Sequence, residues 1–274
     1  MTTVSGRRFW KMSGSGNDFV FFDARTEDAA SLQDPATVRR ICARATGVGA
    51  DGVVFIQHDS AQAFRILYLN QDGSIGELCG NASLCAVRLA FELGIASPSG
   101  VAFGTDAGVV SGRLRGGAPE IDLQPPRDLE LSVAIPLLTG ERRMGYVDTG
   151  VPHVVVLVDD VETVDLDGRG RSLRHHSHFP RGANANFLSR SDPTGPWSLR
   201  TFERGVEGET LACGTGTVAA AVLLAAWGLS GSQTSIRSRS GGDLLVTLGT
   251  RQGVVEPSLR GEGRIVFSGS LASI

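Results

Sequence analysis

Short runs of apolar residues alternate with polar, turn-rich segments along most of this chain. Runs of about four to eight residues rich in β-branched and aromatic side chains are typical of strands. The clearest are FVFFD, GVVFI, AFRILYLN, EIDL, HVVVLV, NANFLS, LLVTLG and RIVFSG. Helical patterns are fewer, and they predict helices over 35–46, 82–93 and 216–229. Strands dominate and helices are interspersed, which indicates an α+β fold.

One stretch of this pattern occurs twice. Residues 67–94 (LYLNQDGSIGELCGNASLCAVRLAFELG) and 201–228 (TFERGVEGETLACGTGTVAAAVLLAAWG) both run from a strand through a polar turn to Cys-Gly and an apolar helix. The second helix is apolar all round, which predicts burial on every side. We therefore expect two pseudo-symmetric domains, each a curved mixed β-sheet or barrel wrapped around a central apolar helix. The N-terminal half would span 1–122, with the tail 270–274 able to return to it, and the C-terminal half 123–269.

Composition and charge exclude several classes of function. With 26 basic and 29 acidic residues and no basic stripe, the chain is not expected to bind nucleic acid. Its longest apolar run, 218–227, is far shorter than the roughly 20 residues that cross a bilayer. The N-terminus lacks the apolar core of a secretory signal, so we expect a cytoplasmic protein without a membrane partner. Lys11 is the only lysine, which argues against Schiff-base cofactor chemistry.

Two of the four cysteines lie where a thiol becomes reactive. Cys79 and Cys213 directly precede the two apolar helices, where backbone N–H groups and the helix dipole favour the thiolate. The small residues that follow leave those N–H groups open to a carboxylate. If the halves pack with approximate two-fold symmetry, one thiolate would remove an α-proton while the opposite thiol returned one, with no metal or organic cofactor. Cys42 and Cys85 are expected to be ordinary core residues.

Six stretches of the chain together resemble the diaminopimelate epimerase family. They are KMSGSGNDFVFFD (11–23), GVGADGVVFI (47–56), NQDGSIGELCGN (70–81), TGVPHVVV (149–156), GANANF (182–187) and ERGVEGETLACGTGT (203–217). Their order and spacing cover nearly the whole chain. The resemblance implies the two-domain fold described above and interconversion of LL- and meso-diaminopimelate in lysine and cell-wall biosynthesis. It also implies an amino-acid substrate, no cofactor and a homodimer.

The resemblance further implies roles for single residues. Cys79 and Cys213 would be the acid/base thiols, with His153 and Glu203 assisting proton movement. The residues implied to bind substrate are Asn17, Asn70, Gly80, Asn81, Asn184, Glu203, Arg204, Gly214 and Thr215. Of these, the glycines with Asn81 and Thr215 would line the reacting carboxylate. The far end of the substrate would be held by the other asparagines and by Arg204, whose guanidinium can grip a carboxylate with two hydrogen bonds.

Two other functions stay open at this point. One is racemisation of a different amino acid on the same fold, such as histidine, proline or hydroxyproline. The other is a non-catalytic ligand-binding or redox module. The chain departs from the common family pattern at Ala82, Leu84 and Val151, where Gly, Arg and Asn are frequent. The cluster RHHSH at 174–178 lacks the helical spacing of a zinc site, so we expect no metal.

Overall fold

The structure is a computed structural model that describes residues 5–76 and 79–272. Its contacts divide the chain into two compact units, Met1–Ile121 with Gly261–Ile274, and Asp122–Arg260. The sequence prediction left everything up to residue 269 in the C-terminal half. The structure differs there because the strand at 264–270 pairs with the strand at 8–14, which draws the segment into the first unit.

Strands are short and numerous, and helices are few. In chain order the elements are β1 (Arg8–Gly14), β2 (Asn17–Ala24), α1 (Pro35–Cys42), β3 (Gly52–Gln57), β4 (Phe64–Asn70), β5 (Ile75–Gly76), α2 (Gly80–Glu92), β6 (Val101–Thr105), β7 (Gly108–Arg115), β8 (Ala118–Asp122), β9 (Arg127–Glu130), β10 (Glu141–Asp148), β11 (Pro152–Val158), α3 (Arg171–Arg174), β12 (Asn184–Ser189), β13 (Trp197–Glu203), β14 (Gly208–Thr210), α4 (Gly214–Ala226), β15 (Gln233–Arg237), β16 (Asp243–Arg251), β17 (Val254–Arg260) and β18 (Arg264–Ser270). Single helical turns lie at Ala30–Leu32, Val161–Thr163 and Leu166–Gly170.

The two units repeat one order of strand pairing. In the first unit, β1–β2 is antiparallel, β2–β3 parallel, β3–β4 antiparallel, β4–β6 parallel, and β6–β7–β8 antiparallel. In the second, the same sequence of directions runs through β10, β11, β12, β13, β15, β16 and β17. An outer strand completes each set, β18 on β1 and β9 on β10. The internal repeat seen in the sequence is therefore a repeat of topology.

A long helix forms the centre of each unit. Helix α2 contacts β1, β2 and β18 and also β7, so the sheet of the first unit curls around it. Helix α4 likewise contacts β10, β11 and β12 as well as β15, β16 and β17. All but three of the thirteen residues of each helix are buried, which matches their apolar sequences. The predicted α+β fold, with a curved mixed sheet around a central apolar helix, is confirmed.

The helix boundaries differ from the sequence prediction in an informative way. Both central helices begin two residues early, at Gly80 and Gly214, because the low helix propensity of glycine hid their first turns. The preceding cysteine thus becomes the N-cap residue in each unit. Helix α1 ends at Cys42 rather than 46 because the next residue turns to ψ 121°. Gly94 and Gly228, shortly after the two central helices, have φ of 67° and 72°, the left-handed conformation of a glycine C-terminal cap.

Candidate active site

The first candidate region is the N-terminus of α2. Cys79 caps the helix with an extended backbone, φ −124° and ψ 114°, and its thiol is half-buried. No side chain among the described residues caps this end, and no acidic residue lies in the first turn. The N–H groups that begin a helix lack intrahelical partners. This terminus therefore presents a sulfur beside uncapped N–H groups, which suits an anionic ligand.

Asn81, in the first turn of α2, is held by a chain of amide contacts. Its Nδ2 donates to Asn17 Oδ1 at 2.7 Å, and Asn17 Nδ2 donates to Asp51 Oδ2 at 3.0 Å. Asn81 is almost fully buried, yet its Oδ1 finds no hydrogen-bond partner in residues 5–76 and 79–272, and neither does Ser83 Oγ. A buried polar atom without a partner is costly unless a ligand supplies one. Asn81 Oδ1 and Ser83 Oγ are thus two acceptors in the first turns of α2 without a partner among the described residues.

The strand order brings the other predicted N-terminal residue to this edge. Asn17 opens β2, whose Phe19 pairs with Gly52 of β3, and Gly52 pairs in turn with Asn70 at the end of β4. Asn70 Nδ2 donates to Ser74 Oγ at 3.0 Å within the following turn. The structure thus places Asn17 and Asn70 at one end of three adjacent strands, while only Asn17 contacts Asn81 directly.

Close packing holds β1 against the first turn of α2. A Cβ added at Gly14 would lie 2.7 Å from the Asn81 carbonyl oxygen and 2.9 Å from Cys85 Sγ. Glycine is therefore required where the strand meets the helix. The hairpin that follows has φ of 51° at Ser15 and 109° at Gly16, and it delivers Asn17 to the helix start.

The second candidate region is the N-terminus of α4. Cys213 caps the helix with φ −126° and ψ 104°, nearly the values of the first cysteine, and it is buried. Its Sγ lies 3.7 Å from Thr215 Oγ1, and Thr149 Oγ1 donates to the Thr215 carbonyl at 3.1 Å. A Cβ on Gly216 would collide with Asn186 Oδ1 and lie 3.2 Å from Cys213 Sγ. Because Gly216 has no side chain, Cys213 Sγ and the Asn186 side-chain amide can both lie against the start of α4.

His153 lies on β11 beside this helix start and is fully buried. Asn186 Nδ2 lies 3.1 Å from its Nδ1, while its Nε2 has no hydrogen-bond partner within the described part of the chain. Burial lowers the pKa of His153 to about 3. Two charged residues have smaller effects on this pKa: Asp148 raises it and Arg204 lowers it. The ring is therefore neutral at physiological pH.

Asn184 fixes the turn that carries Glu203 and Arg204. Its Oδ1 accepts from the Arg204 backbone N–H at 2.8 Å, and its Nδ2 donates to the Pro152 carbonyl at 3.1 Å. Glu203 is the last residue of β13 and is half-buried. The Arg204 guanidinium donates to the Arg181 carbonyl at 3.2 Å. No carboxylate in the described ranges lies within ion-pair distance of Arg204, so its charge is available to an anionic ligand.

The sequence reasoning missed four residues that build these regions. Asp51, Thr201, Gly216 and Asn186 were not among the predicted site residues, although Asp51 holds Asn17 and Thr201 holds Asn186. One signal was present, because NANF places two asparagines two residues apart and hence on one face of a strand. An asparagine pair on a buried strand needs internal partners.

The remaining cysteines and histidines behave differently from those at the helix starts. Burial raises the pKa of Cys42 to about 11 and that of Cys85 well above its usual range. In the segment 174–178, His175 pairs with Glu207 and His178 with Glu130, each at 3.1 Å.

Within residues 5–76 and 79–272, no three His, Cys, Asp or Glu side chains are grouped as metal ligands. No helix in those ranges is long and apolar enough to span a membrane.

Comparison with known proteins gives a consistent picture. The family model described as "Diaminopimelate epimerase" matches residues 9–121 and 145–264. A diaminopimelate epimerase of Gemmatimonas aurantiaca is 47% identical, over 97% of this chain and 99% of that protein. One from Aquifex aeolicus is 40% identical, over 96% and 97%. A crystal structure of a Bacillus anthracis phenazine biosynthesis protein of the PhzF family has a TM-score of 0.73 at 14% identity, covering 97% of this chain and 98% of that one, which is a likeness of fold alone.

Proposed function

Because the chain belongs to the diaminopimelate epimerase family, we propose that it interconverts LL- and meso-diaminopimelate by inverting one α-carbon. The observation that carries the proposal within the structure is the duplicated helix start, a cysteine N-cap followed by glycine in each unit. Identity of 47% over nearly the full length supports the substrate. We place the reaction in the supply of meso-diaminopimelate and, through it, of lysine.

The proposed chemistry uses Cys79 and Cys213 on opposite faces of one substrate. One sulfur, as thiolate, takes the α-proton, and the electron pair of the broken C–H bond moves into the adjacent carboxylate. The other thiol then gives its proton to the opposite face, which forms the new C–H bond and leaves that sulfur as thiolate. Protons and charge balance over the step, and the reverse reaction uses the same groups in exchanged roles.

The helix starts supply the stabilisation that this step needs. An α-proton is a weak acid, and its removal places a second negative charge on the carboxylate. The N–H groups around Gly80 and Asn81, and around Gly214 and Thr215, point at such a carboxylate in the proposed complex. Fixed donors that meet developing charge lower the barrier more than donors that must reorganise. The absence of a side-chain cap among the described residues at either helix start supports this role.

The distal end of the substrate carries a second carboxylate and ammonium group. We assign the carboxylate to Arg204, whose guanidinium has no carboxylate partner in the described ranges, and the ammonium to oxygen atoms of the asparagine set. Asn184 accepts a hydrogen bond from the Arg204 backbone N–H, and Asn17 accepts one from Asn81 Nδ2. These two asparagines therefore also position Arg204 and Asn81. Glu203 and His153 lie in the second unit and are assigned to assist proton movement at the thiols, His153 as a neutral hydrogen-bonding ring.

The test is exchange of the α-hydrogen with solvent. Reduced protein is incubated with LL-diaminopimelate in deuterated water, and α-deuterium is followed by mass spectrometry. We expect wild type to incorporate α-deuterium and to invert the α-carbon. We expect no net inversion with Cys79→Ala or Cys213→Ala, because neither variant can serve both faces of the substrate. Cys42→Ala is the matched control, since that thiol lies at the end of α1 in an apolar cluster of the first unit. Inversion by either N-cap variant at the wild-type rate would overturn the two-thiol mechanism.

The same assay separates the alternatives. Proline, hydroxyproline and histidine are run in parallel with diaminopimelate. Exchange with one of these and not with diaminopimelate would keep the chemistry and reject the substrate. No exchange with any of them, despite binding, would favour a non-catalytic module.

Two further properties belong to the proposal. A reaction that needs two reduced thiols suits the cytoplasm, where thiols are kept reduced. A homodimer is supported by exposed apolar side chains on the segment from β9 to β10, namely Leu129, Leu131, Leu137 and Leu138. Sedimentation equilibrium on the full chain tests the dimer, and a monomer at micromolar concentration would reject it.

A further inference from the structure

Asn186 lies at the centre of a buried polar cluster that the proposed reaction does not yet use. The residue is fully buried on β12, and its amide contacts three different segments of the second unit. Its Nδ2 lies 3.0 Å from the Val154 carbonyl oxygen and 3.1 Å from the Asn184 carbonyl oxygen. Its Oδ1 accepts a hydrogen bond from Thr201 Oγ1 at 2.9 Å.

These contacts permit only one orientation of the amide. If the group were rotated by half a turn, its oxygen would face the carbonyl oxygens of Val154 and Asn184, and both would lose the hydrogen bond that they accept from Nδ2. Buried acceptors facing one another leave all of them unsatisfied, which is strongly unfavourable. The NH₂ group of Asn186 therefore points to the side of Val154 and Asn184, which is also the side of His153.

The fixed amide determines which nitrogen of His153 carries the hydrogen. Nδ1 of the ring lies 3.1 Å from Asn186 Nδ2. The two hydrogens of the NH₂ group are shared among the two carbonyls and the ring, and its nitrogen accepts no hydrogen bond, so a hydrogen on Nδ1 would meet no acceptor at Asn186. Nδ1 must therefore offer its lone pair, and in a neutral ring the hydrogen lies on Nε2. Nε2 is the buried atom for which the described residues provide no partner.

We propose that Asn186 is a positioning residue that holds His153 in the Nε2–H tautomer, so that the ring presents a hydrogen-bond donor to an anionic group of the bound substrate or to a thiolate. In this form the ring cannot serve as a general base through Nε2. The part of the inference that concerns catalysis rests on the proposed function, whereas the tautomer does not. Asp148 and Arg204 are the charged groups that act on the ring, with opposite signs.

The tautomer is measured directly by long-range ¹H–¹⁵N correlation on full-length protein labelled in histidine. The two neutral tautomers give different patterns of nitrogen shifts and couplings, and His153→Gln identifies the signal. We expect the Nε2–H pattern in wild type without any substrate. In Asn186→Ala we expect a mixture of tautomers, because no donor then faces Nδ1. In Asn186→Asp we expect the Nδ1–H form, because a carboxylate accepts from Nδ1.

Thr201→Val is the matched control on the other side of the same amide. It removes the donor to Oδ1 but leaves both carbonyls that hold the NH₂ group, so the Nε2–H pattern should persist. An Nδ1–H pattern in wild type would overturn the assignment. An unchanged single tautomer in Asn186→Ala, or a lost one in Thr201→Val, would overturn the role of the carbonyl-held NH₂ group. If Asn186→Ala does not fold, the wild-type and Thr201→Val spectra still decide the tautomer.

Kinetics then test the catalytic part. We expect kcat of Asn186→Ala with diaminopimelate to fall about tenfold or more, with a smaller change in KM, because a donor that meets developing charge is misplaced. Gly231→Ala, where an added Cβ meets nothing within 4 Å, should keep the wild-type kcat. Equal kcat for wild type and Asn186→Ala, together with the expected spectra, would leave the tautomer established and reject its part in catalysis. Failure of the proposed function would appear separately, as absent exchange in a wild-type protein with the Nε2–H pattern.

Discussion

Replacing Gly216 by alanine adds one methyl group at the start of α4, in the most crowded part of the second region. The new Cβ would collide with Asn186 Oδ1 and lie 3.2 Å from Cys213 Sγ, closer than carbon and sulfur pack without displacement. Overpacking of this kind costs about 1–3 kcal/mol. Alanine gains up to about 1 kcal/mol over glycine in helix propensity. The free energy of unfolding should therefore fall by only about 0–2 kcal/mol.

Activity should respond far more than stability. The displaced atoms belong to the thiol that we propose exchanges a proton and to the amide that we propose positions His153, and a misplacement of about 1 Å can cost about 100-fold in rate. We expect kcat to fall by about that factor, measured by α-deuterium exchange, while urea denaturation shows a folded protein. Gly231→Ala is the control, because nothing lies within 4 Å of the Cβ it would add. A Gly216→Ala enzyme with wild-type kcat would refute the reasoning.

Three other predictions follow from the same contacts. Arg204→Gln should raise KM for diaminopimelate about 10- to 100-fold, the value of a charged hydrogen bond lost, and an unchanged KM in steady-state kinetics would remove Arg204 from the distal site. Because burial lowers the pKa of His153 from 6.5 to about 3, the unfolded chain binds the extra proton between those values. The free energy of unfolding should therefore fall as pH drops through that window, by at most about 1.4 kcal/mol per pH unit. Measured by urea denaturation, its slope against pH should be smaller in His153→Gln than in wild type. Equal slopes would contradict the lowered pKa. At neutral pH, iodoacetamide should inactivate the protein by modifying an N-cap cysteine, since burial raises the pKa of Cys42 and of Cys85; peptide mapping that finds those two modified first would count against it.

The fold was largely predictable because its signals are local. Eight apolar runs named from the sequence coincide with strands, and the duplicated Cys-Gly segment predicted two similar units. The strand β10 was missed, because its sequence ERRMGYVD carries three charges at its start and shows no clean alternation. The exact helix starts were missed because propensity scales penalise glycine.

The two helix-start cysteines could be named from the sequence as candidates, whereas the contacts around them could not be predicted. A Cys-Gly pair directly before an apolar helix is a local pattern. The resemblance to the family supplied the remaining candidate positions. The contact between Asn81 and Asn17 joins residues 64 apart, and that between Asn186 and His153 joins residues 33 apart. Neither pairing leaves a trace in composition or periodicity. Only the strand register, with Asn184 beside His153 on a parallel pair, brings the second set together.

The strand β18 imposes an order on how this chain can be made. It pairs with β1 along its whole length, from Arg8 opposite Ser270 to Ser13 opposite Arg264. During vectorial synthesis the ribosome releases every strand of the second unit before it releases β18. The second unit can therefore complete its sheet first. The first unit is translated earlier, but one hydrogen-bonding edge of β1 stays unpaired until β18 is released. An unpaired strand edge invites association with other chains, so we expect the nascent N-terminal unit to be open to such association until β18 is released.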